Sequence, residues 1–164
     1  MFRIRTHILG NEITFTIRAP SRNPLKKYDV FQSKTFITSF GQKHPNGIPY
    51  EQYKDKLVII GFPCNQFGMQ EPGSNQKIKE FCSSKFHVTF TMMDKCDVKG
   101  KDQHPIYQWL TRSDLNGIEN SEVSWNFNKY LVSADGHSIQ HFDSDVTPDS
   151  EVLKKAIEAL ITQH

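Results

Sequence analysis

The run Lys56-Leu57-Val58-Ile59-Ile60, left at Gly61, constrains the fold more than any other feature of this chain. A short, β-branched apolar run of this kind forms a strand buried on both faces, because a half-exposed strand alternates apolar with polar. The loop at the end of such a strand is where α/β folds put their chemistry. Here that loop, Gly61 to Asn75, carries side-chain amides at Asn65, Gln66, Gln70 and Asn75, a proline near each end, three glycines and the thiol of Cys64. It can present several neutral hydrogen-bond donors from a fixed backbone. An ordinary strand-to-helix connection accounts for the same composition.

Strand and helix signals alternate from there on. Ser74 to Lys85 reads as a helix opened by Pro72-Gly73, with Ile78, Phe81 and Cys82 on its buried face. His87 to Met92 reads as a strand, Asp97 to Lys101 as a turn, and Pro105 to Thr111 as a short helix turning Ile106, Trp109 and Leu110 inward. Trp125 to Val132 alternates as a strand, Ser133 to Gly136 is a hairpin turn, and Ser138 to Phe142 pairs back. The last helix is expected to start at a Thr147 N-cap with Pro148 at its first position, and to bury Leu153, Ala156, Ile157, Leu160 and Ile161.

The 164 residues suit one domain with a full core. Twenty basic and 18 acidic residues leave a net charge of +2, a balance that predicts neither a nucleic-acid nor a membrane partner. No apolar run approaches the ~18 residues of a membrane span, and Met1-Phe2-Arg3-Ile4-Arg5-Thr6 is too polar for a signal peptide, so a cytoplasmic location is expected. Three cysteines without C-x-x-C pairing fit a reducing compartment; neither a metal site nor a cofactor is expected from them. The first third is less regular. Asn11 to Arg18 alternates like a strand, but Pro20, Pro24, Gly41, Pro45, Gly47 and Pro49 argue against a buried strand or a long helix between residues 18 and 49.

Several motifs in order carry a resemblance. Gly61 to Asn75, Phe81-Cys82, Val88-Thr89-Phe90, Asp97 to Gly100, His104-Pro105-Ile106-Tyr107 and Ser124-Trp125-Asn126-Phe127-Asn128 together resemble the glutathione peroxidase family over residues 50 to 162. The resemblance implies a thioredoxin-like fold, a central mixed sheet flanked by helices, and reduction of hydrogen peroxide or organic hydroperoxides by thioredoxin or glutathione. It also implies that Gln70, Trp125 and Asn126 assist a peroxidatic cysteine. Neutral N–H donors suit that role, since a thiolate attacking a peroxide expels an alkoxide or hydroxide that must be stabilised and protonated. Trp125 taken alone reads equally as a core aromatic at a strand start.

The nucleophile is the departure from the family. In Gln32-Ser33-Lys34-Thr35-Phe36-Ile37-Thr38, Thr35 aligns with the peroxidatic position, and no cysteine precedes Cys64. A threonine hydroxyl has no thiol redox cycle. Either a diverged segment or a shifted reading frame in the source gene produces such a departure confined to residues 18 to 49, and a cysteine at position 35 is expected to raise activity. Cys82 matches the resolving cysteine of thioredoxin-dependent members; an internal disulfide from Cys82 to Cys64 or Cys96 is expected only through local unfolding, so mild peroxide is expected to leave the chain without an internal disulfide and Cys82 alone to reach sulfenic acid or pair between chains. Cys64 and Cys96 read as structural, and His104 as a residue of a surface or satisfied turn. The short connection Ser113 to Ser124 resembles the compact monomeric subgroup that takes lipid hydroperoxides. Two functions stay open: a thiol-dependent peroxidase, impaired in this copy, and a non-catalytic thioredoxin-like binding or thiol-switch protein.

Overall fold

The computed structural model describes residues 2–8, 11–17, 35–38, 53 and 56–162. Strands β1 (Phe2–Ile8) and β2 (Asn11–Ile17) form an antiparallel hairpin. The second sheet has five strands, β3 (Thr35–Thr38), β4 (Leu57–Gly61), β5 (Thr91–Met92), β6 (Lys129–Val132) and β7 (Ile139–Phe142), in the spatial order β5-β4-β3-β6-β7. β3, β4 and β5 run parallel, while β6 and β7 form an antiparallel hairpin on the other side of β3. Helices α1 (Asn75–Phe86), α2 (Pro105–Thr111), α3 (Ser113–Asn116) and α4 (Glu151–Thr162) complete the chain.

The sheet is covered on both faces, and its strands show it. In β6, Tyr130 and Val132 join a core with Ile60, Ile106, Trp109 and Leu110, while Leu131 between them joins the opposite core with Leu57, Leu153, Ile157 and Leu160. All four residues of β6 are buried. Period-two alternation between two apolar layers is what makes such a strand read as a continuous run. A central mixed sheet with helices on both faces is the thioredoxin-like arrangement implied by the sequence.

Several boundaries differ from the sequence reading. The strand expected over His87 to Met92 shrinks to Thr91–Met92, because His87 closes α1 in the left-handed region at φ 53°. His87 N–H bonds the Ser83 carbonyl and Val88 N–H that of Cys82, so those residues satisfy the helix end and not a ladder. On α1 itself Ile78 and Cys82 are buried, but Phe81 is 54% exposed and stands edge-on to Phe86. The strand expected from Trp125 begins only at Lys129. Asn128 Nδ2 donates to the Trp125 carbonyl at 2.8 Å and Phe127 sits at φ 63°, so this segment is a turn. The final helix starts at Glu151, and Ser150 Oγ, not Thr147, accepts from Leu153 N at its first turn; Ser150 N–H bonds back to the Thr147 carbonyl in a preceding turn. The irregularity read between residues 18 and 49 lies outside the described residues, apart from β3.

Candidate active site

At the end of β4 the backbone must pass close to β5. A Cβ on Gly61 would stand 2.6 Å from Met92 Sδ and 3.1 Å from Phe90 Cε2, so any larger residue there requires the Met92 side chain to move. The loop beyond is fastened by its own amides. Gln66 Oε1 accepts from Val98 N at 2.8 Å and Lys99 N at 3.1 Å, and Gln66 Nε2 donates to the Lys99 carbonyl at 2.9 Å. Asn65 Oδ1 takes Glu71 N at 2.9 Å, closing the loop on itself. Asn75 Oδ1 takes Lys95 N, while Lys95 Nζ reaches the Glu71 and Gly73 carbonyls at 3.1 and 2.7 Å. Apart from the local Asn65–Glu71 bond these span 20 to 33 residues, so the loop is held from outside as well as within. Burial raises the Glu71 carboxyl above its ordinary range, and nearby Lys95 partly offsets this.

Phe67 anchors the loop in the core, with Lys99 Nζ 4.5 Å above its ring. Gly68 at φ 63° and Met69 at φ 51° then turn the chain outward, delivering Gln70 to the surface. Asn126 Nδ2 donates to Gln70 Oε1 at 2.9 Å. Trp125 packs on Phe67 with ring centroids 5.6 Å apart and is 48% exposed, so it is not the core aromatic that its sequence position also allowed. Gln70 Nε2 and the Trp125 indole N–H donate to no described residue.

Gln70 and Asn126 stand at a cleft of about 510 Å³ whose walls also include Cys64, Cys82, Ile78 and Phe127. Cys82 is buried on α1, and burial together with Glu71 pushes its thiol up. Cys64 is half-buried, with Gln66 N–H donating to its sulfur at 3.4 Å. Cys96 packs against the same core as Cys64, and its thiol is pushed up to about 12, by burial first and then by Cys64, Asp97 and Asp94. His104 caps α2 by accepting from Ile106 N through Nδ1 at 3.3 Å; burial lowers its pKa.

Thr35, which the sequence aligns with the peroxidatic position, is the first residue of β3. It pairs with Leu57 at the start of β3, while Thr38 pairs with Ile60 next to the loop. Three residues of strand, about 10 Å, separate Thr35 from Thr38 at the other end of β3. What sequence reading missed is the fastening role of Gln66 and Lys95 and the adjacency of Cys64 to the 93–96 segment. The density of amides in the loop was the available signal.

Comparison with known proteins agrees with this geometry. A family described as glutathione peroxidase matches residues 39–111. The chain is 42% identical over 113 residues to the glutathione peroxidase homolog BsaA of Staphylococcus epidermidis, covering 68% of this chain and 70% of that one. It is 47% identical over 102 residues to the hydroperoxy fatty acid reductase Gpx2 of Synechocystis, covering 62% of each. Among solved structures, an apo form titled Trgpx superposes with TM-score 0.62 at 25% identity, over 99% of this chain and 94% of that one. T. cruzi GPX1 does so with TM-score 0.61 at 19% identity, over 98% and 94%, which speaks for the fold.

Proposed function

Since the chain belongs to the glutathione peroxidase family, we propose that it reduces hydrogen peroxide or organic hydroperoxides with a thiol donor, in the cleft where Gln70 and Asn126 meet the thiols. The observation that carries this reading is the Asn126–Gln70 hydrogen bond, which joins two distant motifs beside a cleft lined by Cys64 and Cys82. A thiolate attacking a peroxide forms an S–O bond, breaks the O–O bond and expels an alkoxide or hydroxide. Gln70 and Asn126 line that cleft and Trp125 precedes Asn126 in the chain; their amide and indole N–H groups are neutral donors, suited to stabilising the departing oxyanion without introducing a charge that would pair with the thiolate.

With no cysteine before Cys64, turnover in this copy is weak, and Cys82 is the candidate resolving thiol. The short connection from Ser113 to Ser124 suits a monomer with an open cleft that takes bulky lipid hydroperoxides. Thioredoxin and glutathione are the reductants this chemistry calls for, and the cytoplasm keeps three free thiols reduced. Among the described residues no helix is long and apolar enough to cross a membrane.

A coupled assay with hydrogen peroxide and a phospholipid hydroperoxide, run with thioredoxin and glutathione in turn, tests the reading. Slow enzyme-dependent turnover is expected, falling about 10²-fold in Gln70→Ala. Absence of turnover in all four combinations favours the second reading, a non-catalytic thioredoxin-like thiol switch, for which the missing early cysteine speaks.

A further inference from the structure

Two of the three free thiols lie on neighbouring chains in a register that the peroxidase reading does not use. β4 and β5 run parallel with Gly61 opposite Met92, and in that pairing Met93 N–H donates to the Gly61 carbonyl at 2.8 Å. The same bond recurs further along, where Cys96 N–H donates to the Pro63 carbonyl at 3.0 Å. In a parallel ladder the residue before the donor faces the residue that accepts, so Lys95 faces Pro63 and Cys96 faces Cys64. Residues 62–64 and 93–96 lie beyond the ends of β4 and β5, so the one-residue offset from the Gly61–Met92 pairing falls in loop backbone. In-register partners on hydrogen-bonded chains lie about 5 Å apart with side chains on one face, inside the ~4.4–6.8 Å that a disulfide spans between Cα atoms. Both side chains pack against the core built on Ile60, Phe62 and Ile106.

We propose that Cys64 and Cys96 close a disulfide when the protein meets a hydroperoxide, with Cys64 the thiol oxidised first. Cys64 lines the cleft and holds the Gln66 N–H on its sulfur. Cys96 does not line that cleft, and burial together with Cys64, Asp97 and Asp94 keeps its thiol protonated, so it is the poorer initial nucleophile. In the first step the Cys64 sulfur bonds one peroxide oxygen, the O–O bond breaks, and the other oxygen leaves with the thiol proton as an alcohol or water; Cys64 becomes a sulfenic acid. In the second, the Cys96 sulfur displaces that hydroxyl: the S–S bond forms, the S–O bond breaks, and water departs with the Cys96 proton. Two thiols lose two electrons, and one hydroperoxide gains them. Cys82 lines the same cleft but sits on α1, without a backbone register that aligns it to Cys64.

The 164-residue chain, treated with hydrogen peroxide, alkylated and digested, tests this by peptide mass spectrometry. Expected are a peptide joining Cys64 to Cys96, loss of both thiols in step, and a Cys82 that still alkylates. In Cys96→Ser, dimedone is expected to trap a sulfenic acid on Cys64 several-fold more than in the wild type. A Cys64–Cys82 or Cys82–Cys96 link overturns the proposal, as does Cys64 advancing to sulfinic acid while Cys96 still alkylates. The readout is a bond within the chain, so it stands apart from whether the coupled assay detects turnover.

Discussion

Replacing Gln66 by alanine removes the bonds that tie the loop after β4 to the segment after β5. Three are lost at once: Val98 N and Lys99 N lose their acceptor, and the Lys99 carbonyl loses its donor. At a net ~0.5–1.5 kcal/mol each the loss is about 3 kcal/mol, held below the cost of fully buried orphans because the site is part-buried and water reaches some of the groups. For a chain of this size a urea slope of about 2 kcal/mol/M turns that into a midpoint lower by about 1.5 M. Gln66→Glu retains an acceptor for the two N–H groups but sets a carboxylate oxygen against the Lys99 carbonyl, so it is expected to lose about half as much. Gln70→Ala is the control. Gln70 is exposed and makes one side-chain bond, to Asn126, so its stability should stay within about 0.5 kcal/mol of wild type while activity falls. Urea unfolding followed by tryptophan fluorescence measures all three variants. A loss under 1 kcal/mol for Gln66→Ala with an unchanged slope would refute the fastening role.

Thr35→Cys is expected to raise peroxidase turnover in the coupled assay more than any other single substitution, since it supplies the missing thiol; no gain over wild type in a folded variant would show that position 35 lies away from Gln70, Trp125 and Asn126. His104 and His141 both have pKa values lowered by burial, His141 while bonded to Asn128 at 2.7 Å and stacked on Tyr130. Their neutral forms stabilise the fold above the unfolded value near 6.5, and that stability is lost as pH falls from there toward the lowered folded values. A smaller drop in urea midpoint between pH 7 and pH 5 is therefore expected in a His104→Asn/His141→Asn double variant than in wild type, and an equal drop would argue against it. Ser150→Ala should cost about 1 kcal/mol and Thr147→Ala almost nothing, since Ser150 Oγ holds the first turn of α4; thermal melts with equal losses would return the cap to Thr147.

The sequence carried the fold class, the buried β4, α1, α2, the β6–β7 hairpin and the association of Gln70 with Asn126. These readings rest on local periodicity and capping chemistry, which act over a few residues and leave their mark in the chain itself, or on motifs whose resemblance stands in for contacts. Other features depended on partners far away in sequence. Trp125 and Phe81 look inward by composition but lie exposed, because a positive-φ turn at Phe127 and the rotation of α1 decide which side faces the core. Register is a relation between two strands, so neither Thr35 opposite Leu57 nor Cys96 facing Cys64 is written in either segment by itself. The work of Gln66 is of the same kind: an amide in a loop declares what it can donate and accept, and only the fold brings it Val98 and Lys99.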